Sequence, residues 1–300
     1  MKIKIIHNPY SSRWVSHKRR PVAEEALINA GADFEWVPTT APGEAIDLAA
    51  QAVEQGYETI VAAGGDGTVG EVVNGIMRGA GENPPPNLGI LPMGTANDLV
   101  HNLKLPLDLA EAAQVIAAGK TRKMDLCQVN DRFFANNAGL GLEPFTTTIQ
   151  ERMKRVHGIT RYLLATLLSI AKNPQWEMSL EWDDGQYQGP VTMVSISNGA
   201  VTGGIFYTVP HADPFDGKLS FAYGYIGSRL KIMTLLPRIM KPDEGNYVEH
   251  PSVHEIHATW LKVHLEPGSP AHTDGELFSR DIKQASYRVF PAKLPVLMDE

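Results

Sequence analysis

The segment Gly64-Gly65-Asp66-Gly67-Thr68 lies between the apolar run Ile60-Val61-Ala62 and a helical pattern from Val69 to Met77. A buried strand that ends in glycines and feeds a helix lets backbone N–H groups approach a phosphate, because no Cβ blocks them and positive φ is allowed. The other reading of such a segment is a tight structural turn. A second segment of this kind, Leu91-Pro92-Met93-Gly94-Thr95-Ala96-Asn97-Asp98, follows another apolar strand pattern. Thr95 there either caps the next helix or hydrogen-bonds a phosphate. A third loop, Asn8-Pro9-Tyr10-Ser11-Ser12, ends the first strand and adds donors. The chain contains neither a Gly-x-x-x-x-Gly-Lys-Ser/Thr segment nor a His-Arg-Asp catalytic loop, which excludes a P-loop NTPase and a protein kinase.

Holding these loops on one edge requires a parallel sheet, and the patterning predicts one. Strands are expected over 2–7, 34–39, 58–63 and 88–92, alternating with helices over 22–30 (after Pro21), 43–55, 69–77, 96–103 and 107–118. Residues 79–87, with three consecutive prolines, read as a loop. Alternation of this kind argues for an α/β domain with right-handed crossovers. From about residue 124 the pattern becomes β-rich. Strands are expected over 126–129, 132–136, 177–182, 188–197, 204–209, 218–226, 253–265 and 286–290, with Asp183-Asp184-Gly185 as a hairpin turn. Helices are expected over 143–156, 159–172 and 229–240. The functional site belongs between the two parts, where the loops of the first sheet face the second.

At 300 residues, 43% hydrophobic and 20% charged, the chain has enough length for two ordinary domains. A net charge of −7 argues against nucleic-acid binding through bulk positive charge. Cys127 is the single cysteine, so no intramolecular disulfide can form. No apolar run approaches the ~20 residues of a membrane span. The expected location is cytoplasmic, with any membrane contact peripheral.

The glycine motifs are identified with a family once their partners are added. Gly64-Gly65-Asp66-Gly67-Thr68 with Glu71 and Asn74-Gly75, the Leu91–Asp98 loop, Asp125, Asn136 with Gly139 and Gly141, Ser197-Asn198-Gly199, Gly203-Gly204, Asp216-Gly217 and Thr273-Asp274-Gly275-Glu276 resemble the diacylglycerol kinase catalytic-domain family. The resemblance runs the length of the chain and includes bacterial soluble lipid kinases and sphingosine and ceramide kinases. It implies an N-terminal α/β domain over 1–124, a sandwich-like β-rich lipid domain over 125–288, and a return of residues from about 289–300 to the first domain. It also implies ATP-dependent phosphorylation of a lipid hydroxyl, in lipid metabolism, on the inner membrane face. The ATP site would be Asn8, Pro9, Tyr10, Ser11, Ser12, Thr39 or Thr40, Gly64, Gly65, Asp66, Gly67, Thr68, Val69, Gly70 and Glu71, with Gly94, Thr95 and Asn97. Asp66, Asp98 and Asp125 would position Mg²⁺, partly through water.

Phosphoryl transfer needs positioning, charge neutralisation and a proton acceptor. Asp274, in its turn, is the favoured acceptor and Glu276 its rival. Relatives also carry a structural Mg²⁺, which transfers to Asp213, Asp216 and the Lys218 carbonyl; the other reading is an Asx-turn. Phe215 stands where relatives have an aspartate, and Gly70 where they have Asn or His.

Two apolar stretches, 159–172 and 229–240, have two readings each: lining for a lipid cleft with a basic approach to anionic bilayers, or ordinary core packing. Lys18-Arg19-Arg20 and Lys154-Arg155 face either headgroups or water. His254, His257 and His264 lack a convincing ligand spacing. The specific lipid and the oligomeric state, a homodimer among the options, are not legible. A kinase of a soluble small molecule and a nucleotide-binding regulatory protein without turnover are the alternative functions.

Overall fold

β1 (Ile3–His7) is buried at every position, as continuous apolar strands are when helices cover both faces of a parallel sheet. After it come α1 (Ser11–Trp14), α2 (Ser16–Asn29), β2 (Phe34–Pro38) and α3 (Glu44–Glu54). The equally buried β3 (Thr59–Gly64) leads into α4 (Asp66–Ala80), β4 (Asn87–Pro92), α5 (Asp98–Asn102) and α6 (Leu109–Ala118). The strands pair in parallel in the order β2-β1-β3-β4. This computed structural model describes residues 2–153 and 158–299.

The second half opens with β5 (Thr121–Val129), β6 (Arg132–Phe134) and β7 (Asn137–Gly141), then α7 (Leu142–Arg152) and α8 (Gly158–Lys172). Then come β8 (Trp176–Trp182), β9 (Gly185–Val191), β10 (Met193–Ser197), β11 (Leu219–Gly224), α9 (Arg229–Leu235), β12 (Val253–Ala258), β13 (Trp260–Thr273) and β14 (Glu276–Leu297). The result is an α/β fold with a parallel N-terminal sheet and a β-rich C-terminal part. β14 ties the two together: it runs antiparallel to β13 and β5, and its Val296 pairs in parallel with Leu88 of β4.

Helices α3 and α4 pack tightly because glycines on α4 leave them room. A Cβ on Gly75 would lie 2.3 Å from the Ile46 carbonyl oxygen and 2.6 Å from Ala49 Cβ. The β-rich core gathers Trp176, Trp182, Phe221, Tyr223 and Tyr287, with Trp182 edge-on to Phe221 at 5.6 Å.

The structure departs from the sequence expectations where tertiary contacts override local pattern. Helix α2 starts at Ser16, ahead of Pro21, which sits inside it. Ser16 is fully buried and fixes that start, 2.9 Å from His7 Nε2 and 3.4 Å from Met93 Sδ. Residues 204–209 form no strand; Gly203 and Gly204 take positive φ and turn the chain. The expected helix over 229–240 divides at Pro237 into α9 and a 3₁₀ turn at Arg238–Met240. The expected strand over 253–265 divides at Thr259, whose N–H and hydroxyl both donate to the Asp183 carboxylate. β7 was not expected at all. Lys154-Arg155 and the end of the helix expected over 143–156 lie outside the described residues.

Gly75→Ala is expected to destabilise the chain by about 1–3 kcal/mol, since the helices must separate to admit the methyl group. Urea unfolding measures this. An unchanged midpoint would show that the interface relaxes without cost.

Candidate active site

The two glycine turns meet backbone to backbone. A Cβ on Gly94 would lie 2.3 Å from Gly65 Cα, and one on Gly65 would lie 3.0 Å from Gly94 Cα. Gly64 is needed too, since a Cβ there would strike Thr68 Oγ1 at 2.4 Å. Helix α4 begins at Asp66 with Gly65 as its N-cap, so its unpaired N–H groups open onto this contact. The first loop closes over the same place. Asn8 Nδ2 donates to Thr68 Oγ1 at 3.2 Å, Ser11 Oγ is 3.3 Å from Thr68 Oγ1, and Ser12 Oγ is 3.5 Å from Thr95 Oγ1. Asn8 Oδ1 accepts the Tyr10 N–H at 3.0 Å, leaving Tyr10 exposed beside half-buried Pro9.

The acids around this centre are held by backbone amides. Asp66 accepts the N–H of Asp98 at 2.6 Å and of Asn97 at 2.9 Å, which fixes the start of α5. Asn97 itself has a φ of +53° and accepts the Gly94 N–H at 3.0 Å. Asp98 accepts the N–H groups of Gly203 at 2.7 Å and Gly204 at 2.6 Å. That grip is why residues 203–204 turn rather than extend. Burial raises the pKa of Asp66, and burial with the nearby Asp66 charge pushes Asp98 up to about 7.

Asp274 is held more firmly. Its Oδ1 accepts from Asn136 at 2.9 Å and Asn137 at 3.0 Å, and its Oδ2 accepts from Ala135 at 3.1 Å. Burial pushes its pKa up to about 6 against the pull of those three donors. Glu276, by contrast, has a half-exposed side chain whose Oε1 faces the first glycine turn: a Cβ on Gly67 would lie 2.5 Å from it. Its Oε2 accepts from Arg132 Nη2 at 3.2 Å, and Arg132 Nε also donates to Thr273 Oγ1 at 2.7 Å.

Several residues expected at the nucleotide site have other work. Val69 is packed in the core with Ile6 and Leu99. Gly70 lies against Asp274, where a Cβ would sit 3.2 Å from Oδ2, so a larger residue is accommodated only if one of the two gives way. Glu71 accepts the Gly43 N–H at 3.0 Å and holds the start of α3. Thr39 is buried and continues the β1–β2 pairing through its N–H to the His7 carbonyl, while exposed Thr40 bonds Glu44.

Asp125 does not join Asp66 and Asp98. Its Oδ2 accepts the Gly217 N–H at 2.6 Å and its Oδ1 the Ala292 N–H at 2.7 Å, so it fastens β5 to two loops. The loop it holds is a pair of Asx-turns, Asp213 accepting from the Phe215 N–H at 3.0 Å and Asp216 from the Lys218 N–H at 2.8 Å. The Phe215 ring between them lies under the Arg122 guanidinium at 3.6 Å. Asp66 and Asp98 fit a Mg²⁺ ion: Asp98 is buried and Asp66 half-buried, neither is bridged by a cationic side chain among the described residues, and Mg²⁺ accepts one or two carboxylates with waters and phosphate oxygens. No group of three or more His, Cys, Asp or Glu side chains suited to a metal occurs among the described residues.

Beyond Asp274 an apolar cavity opens among α7, α8, β10, β11 and α9. Its lining includes Ile170, Met193, Phe206, Ile232 and Leu235, and Glu143 is its one carboxylate among the described residues. Glu143 accepts from Ser195 Oγ at 2.7 Å and lies 3.1 Å from His272 Nε2. Asn137 links this end of the cavity to Asp274, donating to Glu143 Oε1 at 3.4 Å through Nδ2. Sequence reasoning missed Glu143, Ser195 and His272; the only legible signal was that His272 adjoins Thr273-Asp274.

The basic segment Lys18-Arg19-Arg20 is largely engaged within the fold. Arg19 donates to the Pro92 carbonyl at 3.0 Å and Arg20 pairs with Glu24 at 2.8 Å.

Comparison with known proteins agrees with this architecture. The diacylglycerol kinase catalytic domain description matches residues 2–129, and the YegS C-terminal NAD kinase beta sandwich-like domain description matches residues 137–298. A diacylglycerol kinase of Staphylococcus saprophyticus is 31% identical over 280 residues, covering 92% of this chain and 88% of the relative. One of Bacillus subtilis is 28% identical, covering 92% and 89%. A crystal structure of a diacylglycerol kinase from Bacillus anthracis superposes with a TM-score of 0.75 at 20% identity, covering 99% of this chain and 97% of the other. The chain belongs to the diacylglycerol kinase family of lipid kinases, phosphotransferases that act on an alcohol group. Among the described residues, no helix is long and apolar enough to cross a membrane.

Asp274→Asn is expected to lower stability by about 1–3 kcal/mol, because its amide presents N–H groups to backbone donors that need an acceptor. Urea denaturation followed by circular dichroism checks this. Wild-type stability would show that the amides left facing the new NH₂ group find other partners.

Proposed function

We propose that this chain transfers the γ-phosphoryl group of ATP to the hydroxyl of a diacylglycerol-like lipid. One observation carries the reading: the amide-lined start of α4, with Gly65, Gly67 and Gly94 free of side chains, faces Glu276 at Gly67 and the buried Asp274 one turn on at Gly70. Asp274 in turn connects through Asn137 to the polar end of an apolar cavity. Nucleotide phosphates would take the unpaired N–H groups of α4 and the hydroxyls of Ser11, Ser12, Thr68 and Thr95. The acyl chains would take the cavity. The names of the bacterial relatives support diacylglycerol as the acceptor class.

Asp66 and Asp98 would hold Mg²⁺ through water. When bound, that ion neutralises charge on the transferring phosphoryl group. The lipid hydroxyl oxygen attacks the γ-phosphorus, the bond from γ-phosphorus to the bridging oxygen breaks, and ADP departs with the electron pair. The hydroxyl proton passes to a carboxylate. Of the two candidates, Glu276 is the better acceptor: it is reachable from the phosphate turn and its Oε1 is not committed to a backbone donor. Asp274 has all three of its donors from the chain and acts as a positioning residue that sets the β6–β7 turn. The lipid is reached from the membrane's cytoplasmic face, where ATP is present.

Glu276→Gln is expected to lower kcat for lipid phosphorylation by about 10²–10⁴-fold, the range of general base catalysis, while nucleotide affinity stays within a few-fold. Steady-state kinetics with titration calorimetry separates the two quantities. Retained kcat would remove Glu276 from the mechanism. An equal loss in affinity would make it a binding residue.

A further inference from the structure

Glu276 is the first residue of β14, and a single side chain aims its carboxylate. Arg132, on β6, donates from Nη2 to Glu276 Oε2 at 3.2 Å and from Nε to Thr273 Oγ1 at 2.7 Å. Thr273 is buried, so the second bond fixes the guanidinium to the frame of the β13–β14 turn. Among the described residues, no other side chain bonds Glu276. Its Oε1 is thereby left toward Gly67, in the first turn of α4.

Stability does not account for this arrangement. An ion pair whose side chains are 33% and 46% exposed contributes little to folding, because water screens it and two long side chains lose rotamers to form it. What the pair supplies is direction. A guanidinium presents Nε and Nη2 along one edge and addresses two acceptors at a fixed spacing, whereas an ammonium is a single point charge. Here one acceptor belongs to the frame and the other is the group to be aimed.

The surrounding charges call for the same residue. Glu71 lies four positions beyond Gly67, on the same face of α4. Burial raises its pKa against the pull of the Gly43 N–H, the Glu276 charge adds to that rise, and the Arg132 guanidinium opposes it. Arg132 is thus the cation between two neighbouring acids. Nucleotide phosphates at the start of α4 would add more negative charge and repel a Glu276 that lacked this tether.

We infer that Arg132 is a positioning residue for phosphoryl transfer: anchored on Thr273, it holds the Glu276 carboxylate toward the glycine turn, where the lipid hydroxyl gives up its proton. This rests on the reading of Glu276 as the proton acceptor.

The test is steady-state kinetics of the full chain with ATP, Mg²⁺ and diacylglycerol, with nucleotide affinity from titration calorimetry and stability from urea unfolding. The variants are Arg132→Ala, Arg132→Lys, Glu276→Gln and the Arg132→Ala/Glu276→Gln double variant. Arg132→Ala is expected to lower kcat by about 10–100-fold, the cost of a misplaced reacting group, with nucleotide affinity within a few-fold and an unchanged unfolding midpoint. Arg132→Lys keeps the charge without the fork and is expected to recover only a minor part of that kcat. On the Glu276→Gln background, removing Arg132 is expected to cost at most about twofold more, since there is no carboxylate left to aim. Wild-type kcat in either single Arg132 variant, or a large fall in the unfolding midpoint of both, would overturn the inference. So would an equal further loss on both backgrounds, or a loss confined to nucleotide affinity, each of which would make Arg132 a direct phosphate ligand. Wild-type kcat in Glu276→Gln is a separate outcome: it removes the proton-acceptor reading itself, and the inference with it.

Discussion

The Asp98 carboxylate accepts the N–H groups of Gly203 and Gly204, while the Asp98 N–H itself donates to Asp66. Asp66 opens helix α4, so this short relay joins the first glycine turn, the second glycine turn and the β-rich half of the chain. Asp274 repeats the arrangement with three amides of residues 135–137, and Asp125 does so with Gly217 and Ala292. Each buried carboxylate thereby replaces its lost hydration with backbone donors, which are fixed dipoles and need no mobile side chain. Removing one acceptor would leave buried N–H groups unpaired at about 1–3 kcal/mol each. The site is thus built from the same bonds that hold the two halves together.

That economy has a chemical consequence. Acids fully committed to the backbone are poor proton carriers but good scaffolds, and the raised pKa values of Asp98 and Asp274 reflect how dry their surroundings are. In the proposed reaction the proton would go to the group left partly free. Glu276 meets that condition, with one oxygen on Arg132 and the other toward Gly67. Asp66 and Asp98, close together and without a cationic neighbour among the described residues, are left short of positive charge, a shortage that a divalent ion would satisfy.

Much of this was legible in the residues alone. The glycine segments at Gly64–Thr68 and Gly94–Thr95, the alternation of strands and helices before residue 124 and the hairpin at Asp183-Asp184 follow local rules, and local rules are readable in one dimension. What escaped depends on partners distant in sequence. Asp125 looks like a third acid of one set, yet its bonds run to residues 217 and 292. Gly203 and Gly204 sit in a stretch with strand character, and only the Asp98 carboxylate explains their positive φ. Glu143 and His272 are 129 positions apart by their numbers and meet only through the pairing of β7 with β13. The approach of Gly70 to Asp274, 204 positions on, was likewise invisible in the local sequence.

The central claim is that phosphate positioned at the start of α4 is transferred to a lipid hydroxyl. Its most direct test is incubation of the chain with ATP radiolabelled at the γ-phosphoryl, Mg²⁺ and diacylglycerol in mixed anionic vesicles, followed by organic extraction. Label is expected in a lipid-soluble phosphomonoester, in proportion to enzyme and time. Label appearing only as inorganic phosphate, or remaining in ATP, would contradict the account.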